Sequence, residues 1–158
     1  MNMAHIHLLV NHFPILGSIF VSILFLVAMI FKNAFLQKVS LWFLVFVALF
    51  TAVAYFSGDG AKNIAENVSH VSDSLVHDHE SMARIGLILM FFTGAIALFG
   101  GVFYSRKPTL PLYLQIAVMA ILVVNVVIFI YIGYLGGLIS HPEIRSFFHA
   151  PTIYGFLS

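Results

Sequence analysis

Four long stretches without a charged side chain, 13–31, 39–56, 85–105 and about 109–140, constrain this chain more than any other feature. At ~1.5 Å of rise per residue, a helix over each one crosses a ~30 Å hydrocarbon core. Only 8% of the residues are charged, against about 25% in a soluble domain, and the mean hydropathy is +1.06. That leaves too little polar surface to cover a water-soluble globule of 158 residues. The expectation is a single all-α transmembrane domain over 1–158, an integral membrane four-helix bundle whose surface meets the lipid bilayer. The first stretch has no Lys or Arg before it and no small-residue cleavage site after a short apolar core, so it reads as a retained span rather than a signal peptide.

Charge then orients the spans. Lys32 and Lys38 flank the first connection, Arg106 and Lys107 the third, and neither carries an acidic residue. Both connections are expected on the cytoplasmic side. Every acidic residue falls in the second connection or the C-terminal tail, which places that connection and both termini outside, as for a multi-pass protein of a bacterial inner membrane. A net charge of +1 with no basic stripe excludes a nucleic-acid partner.

The same orientation puts all eight histidines on the outer side: His5, His7, His12, His70, His77, His79, His141 and His149. With no cysteine in the chain, a metal or haem has to be held by His, Met or carboxylate. His12 opens the first span beside Pro14, which suits the first turn of a helix because its missing N–H is unpaired there anyway. If the helix starts earlier and bends at Pro14, His5 and His12 share a face while His7 points elsewhere. Ser57-Gly58-Asp59-Gly60 reads as the end of the second span, with glycine supplying a left-handed cap. Ile64, Val68, Val71 and Leu75 then recur at helical spacing, as in an outer-face amphipathic helix between helices two and three. Glu66, His70, Asp73 and His77 form its polar face. His79-Glu80 opens the third span at about the depth of His12.

Imidazoles converging at one end of an apolar bundle suit a bis-His haem b. His12 and His79 are the expected axial ligands, with His7 and His77 in reserve, and Arg84 is placed to meet a propionate. Phe13, Tyr55, Phe56, Met82, Phe91 and Tyr134 are the expected walls of the haem pocket. The chemical rival is a Zn, Cu or Fe site on His7, His12, His77 and His79, with Asp59 or Glu80 supporting it and Glu66 as a further carboxylate. No hydrolytic or nucleotide-binding motif appears.

Packing signals complete the reading. Ala83, Gly86, Thr93, Gly94, Ala97, Gly100 and Gly101 give the third span a small-residue face, a shorter one falls at Ser18 and Ser22, and Asn125 and Gln115 suit interhelical hydrogen bonds.

The stretch from His7 to Pro14, the turn Ser57-Gly58-Asp59-Gly60-Ala61 and His79-Glu80 together resemble a family of predicted bacterial four-helix membrane proteins. Members of that family carry an N-terminal His-x4-His-Phe-Pro motif, and the resemblance covers about the first hundred residues. The family is of unknown function and associated with respiratory cytochromes, so the resemblance implies a redox setting in which His7, His12, Asp59 and His79 matter. The combined expectation is a haem-bearing electron-transfer subunit at the outer face, working with quinol and other membrane or periplasmic redox subunits rather than as a self-contained enzyme. A cofactor-free accessory subunit of a larger membrane complex is the alternative from a different class.

Overall fold

The computed structural model describes residues 3–68 and 72–141, the side chains of 61–68 excepted. In chain order the helices are α1 (Met3–Val10), α2 (Phe13–Ile30), α3 (Ala34–Val68), α4 (Asp73–Phe103) and α5 (Leu112–Ser140). α1 and α2 belong to one apolar segment, Met3–Ile30, and four such segments are long and apolar enough to cross a membrane. Between α1 and α2 lies an elbow with a simple cause. Pro14 has no N–H to give the carbonyl of Val10, so α1 stops there; Asn11 N–H still reaches the His7 carbonyl at 2.8 Å, and α2 restarts with Pro14 in its first turn.

α2 turns into α3 within three residues. Lys32 takes a positive φ of 51°, and the amides of Lys32 and Asn33 close back on the carbonyls of Met29 (3.1 Å) and Ala28 (2.9 Å). This pair of bonds is the usual left-handed stop of a helix, here with lysine where glycine is more common. Asn33 then caps α3, its Oδ1 accepting from Leu36 N–H at 3.0 Å.

Two boundaries differ from the sequence reading. α3 does not end at Ser57-Gly60; it runs unbroken to Val68, and among the described residues no glycine has a positive φ. Glycine is used there for close approach instead, as the site shows. The amphipathic stretch from Ile64 is helical as far as Val68, continuing α3, while the face carrying Glu66 and His70 lies outside the described side chains. α4 begins at Asp73 rather than at 85. Asp78 and Arg84 are exposed, so charge in these first turns costs the helix nothing in burial.

The helices close a ring in which α2 packs on α3, α3 on α4, α4 on α5 and α5 on α2, while α1 lies along α3. Val21, Phe25, Leu41, Leu44, Met90 and Leu122 fill the centre. The small-residue face of α4 is consumed by this packing: a Cβ on Gly94 would stand 2.7 Å from the Ala48 Cβ, and one on Gly86 would meet Ile132 and Phe129. Such contacts draw backbones together, which is the use of small residues between membrane helices. Asn125 and Gln115 brace the ring as expected. Asn125 Nδ2 donates to Thr93 Oγ1 at 2.9 Å, and Gln37 Nε2 donates to Gln115 Oε1 at 3.0 Å.

Candidate functional site

Antiparallel packing brings His5, His7, His12, His77, His79 and His141 to one end of the bundle; His70 and His149 lie outside the described residues. At that end the ring does not close. A cleft of about 620 Å³ opens between α1, the elbow, α3, α4 and α5, within the ~300–1,000 Å³ typical of ligand and cofactor sites. His7, His12, His79 and His141 line it, together with Asp59 and Glu80.

His7 is the best-anchored imidazole. Its Nδ1 lies 2.9 Å from the backbone carbonyl of Ala54 on α3 and 3.4 Å from the Ser57 hydroxyl, which itself donates to the same carbonyl at 3.0 Å. A carbonyl only accepts, so Nδ1 carries a proton, and in the neutral ring Nε2 keeps its lone pair. The ring lies against residue 58, where a Cβ would stand in ordinary contact, 3.7 Å from His7 Cε1.

His79 reaches the cleft from α4 and is half-buried. Its ring lies against Gly136 of α5, where a Cβ would come within 3.3 Å of His79 Cε1. Its Nδ1 is buried with no hydrogen-bond partner among the described residues. Asn11 Oδ1, at the elbow, is a second buried atom lining the cleft without a partner. Two further atoms of this kind, Gln37 Oε1 and Asn125 Oδ1, lie away from the cleft.

The remaining candidates are spread more widely. His12 stands at the head of α2, exposed, with no capping bond from its side chain. It lies at the rim of the cleft, as does the exposed His141. His77 is exposed and is not among the cleft residues. Arg84 is also outside the lining, its guanidinium beside Glu80 at 3.7 Å and Tyr55. The expected aromatic walls are mostly elsewhere. Only Tyr55 of that set lines the cleft, whereas Phe13, Phe56, Phe91 and Tyr134 are exposed on the perimeter. Helical spacing gives the depth of a side chain but not which neighbour it turns toward. The actual walls are Ala4, Ala54, Ala83, Gly133, Gly136 and Phe129, a lining whose signal in the sequence is the run Gly133-x-x-Gly136-Gly137.

Among the described residues no three His, Asp or Glu side chains gather where they could hold a metal ion. A closed structural zinc centre needs about four ligands and a catalytic one three. His7 on α1 and His79 on α4 both line the cleft. No family model matches the chain, and neither does any curated protein or solved structure.

Proposed function

We propose that this protein is a haem b-binding electron-transfer subunit of a bacterial inner membrane, with His7 and His79 as axial ligands and the cleft at the outer face. The observation that carries the reading is the pairing of two imidazoles from separate helix pairs in one cofactor-sized cleft, one of them already backed by a carbonyl. Metal-ligating histidines usually give their second N–H to a carbonyl or carboxylate, which fixes the tautomer and raises the basicity of the ligating nitrogen. His7 meets that condition as it stands. Small residues on α1, α3, α4 and α5 are part of the lining, and at Gly137 the wall is open, a Cβ there meeting nothing within 4 Å. Propionates would turn to His12 and His141 at the rim, because Arg84 is engaged with Glu80 on the flank of α4. Bound there, the haem would supply one-electron chemistry at a single face, with quinol and a periplasmic carrier as the natural partners.

The alternative of a cofactor-free accessory subunit loses part of its support, because the small-residue face that would have served docking is buried inside the bundle. A visible spectrum of the protein purified from haem-replete cells decides between the readings. The expected result is a Soret band with sharp reduced α and β bands, lost in His7→Ala and His79→Ala and retained in His12→Ala. A colourless wild-type protein, or bands that survive both of the first two substitutions, would end the haem assignment.

A further inference from the structure

The cations at the end of the bundle away from the cleft stand without acids. Among the described residues Asp59, Asp73, Asp78 and Glu80 all belong to the histidine end, while the opposite end carries Lys32, Lys38, Arg106 and Lys107 with no carboxylate in either connection. Lys38 gathers three of these charges into one place. Its Nζ donates to the carbonyls of Ser105 at 3.0 Å and Lys107 at 2.6 Å, so the loop after α4 is pinned to α3 with Arg106 between the two held residues. Carbonyls at a helix C-terminus bear partial negative charge and answer part of the ammonium. Arg106 and Lys107 themselves are exposed, and the chain places no acid at their level.

Aromatic rings border the same corner. Trp42, 50% exposed, lies one helical turn deeper than Lys38 on α3, and its indole lies over α4, where a Cβ on Gly101 would touch Cε2 at 3.4 Å. Tyr104 and Tyr113 join the two ends of the loop, hydroxyl to hydroxyl, at 3.0 Å, and the exposed rings of Phe99 and Phe103 stack on α4. Trp and Tyr gather where lipid headgroups meet their chains, and basic clusters between membrane helices hold acidic headgroups. We propose that the corner of Lys38, Arg106 and Lys107, with Trp42 one turn deeper, binds an anionic phospholipid in preference to a zwitterionic one. A soluble anion would answer the charges alone, whereas exposed rings beside them suit a molecule that carries both a phosphate and acyl chains. This inference is independent of any cofactor at the histidine end.

Trp42 is the only tryptophan of the chain, so its fluorescence reports on this corner alone. The full chain is reconstituted in phosphatidylcholine vesicles in which a small fraction of the lipid is dibrominated, as phosphatidylglycerol in one set and as phosphatidylcholine in the other. Bromine quenches an indole only at close range. Phosphatidylglycerol should bind beside Trp42 on the order of tenfold more strongly, and Arg106→Gln or Lys107→Gln should each lower that preference about fivefold, the weight of one basic residue near an anionic surface. Lys32→Asn removes the same charge from the other connection, with a residue that tolerates the positive φ there, and should keep most of the preference. All three variants change exposed side chains, and an unshifted emission maximum in unbrominated vesicles shows that Trp42 stays packed. Equal quenching by the two lipids in the wild type would overturn the proposal and leave these cations to an acidic protein partner. An equal loss in Lys32→Asn and Arg106→Gln would overturn it too, by making the preference a matter of diffuse charge. So would a preference abolished by inorganic phosphate but not by chloride at the same ionic strength, since such a site has no use for acyl chains.

Discussion

The two ends of the bundle solve opposite problems. At the lysine end the helices are tied together by atoms that cross from one to the next. Gln37 Nε2 joins Gln115 and the Ala28 carbonyl, Gln115 Nε2 reaches back to the Leu110 carbonyl, and Lys38 Nζ satisfies the carbonyls of Ser105 (3.0 Å) and Lys107 (2.6 Å) past the last turn of α4. At the histidine end, α1 leans on α3 through His7 Nδ1 and the Ala54 carbonyl, and a cleft opens beside it whose lining mixes histidine, glycine, alanine and larger apolar residues. A sequence that can brace helices with amides at one end has left that bracing out at the other. The difference is one of lining: the amides that tie the helices at the lysine end have no counterpart at the other, where four histidines stand among small and apolar residues in an open cleft.

Substitutions can break or sharpen this contrast. The largest effect is expected where packing is tightest, between the ends, at Gly94→Ala. Its Cβ would meet Ala48 Cβ at 2.7 Å, an atom fixed to the backbone that cannot swing aside. Parting α3 from α4 should cost about 1–3 kcal/mol, the usual penalty of overpacking, read from unfolding in mixed micelles. Unchanged stability would show that the helices do not approach as described.

A smaller and more pointed effect separates the amides. Gln37→Ala removes two interhelical donor contacts and should lose between about 0.6 and 2 kcal/mol. Asn11→Leu, at the open end, removes a buried oxygen with no partner and should lose nothing in the ligand-free protein. Equal losses at both positions would erase the contrast. The smallest expected effect is at Gly137→Ala. A Cβ there meets nothing within 4 Å, so the change should be neutral or gain at most about 1 kcal/mol of helix propensity. A clear loss by the same unfolding measurement would mean that the cleft is filled by protein.

Much of this architecture could be read from residue order, because it depends on properties that a linear pattern records. Charge-free length set the four spans, and the buried small face of α4 and the bracing by Asn125 and Gln115 followed from residue type and spacing. What escaped was anything decided by a neighbouring helix. Gly58 and Gly60 read as a helix stop because free glycine favours turns, yet here the helix continues and Gly60 admits the close approach of Met3–Ala4. For the same reason depth placed His12 level with His79, while only the packing of α1 on α3 could show that His7 is the histidine turned onto a carbonyl. The aromatic walls failed in the same way, phenylalanine being as suited to lipid as to a cofactor.

The placement of the cleft at one end has an electrical consequence. A charge carried through the hydrocarbon works against or with the membrane potential, by about 2.3 kcal/mol per elementary charge for every 100 mV. The cleft opens where α2 begins and α5 ends and reaches inward as far as Phe129, so on the proposed function an electron exchanged near its mouth would cross less of the field than one exchanged at mid-span. A centre of the proposed kind there would answer more to its chemical partners than to the voltage of the membrane that holds it.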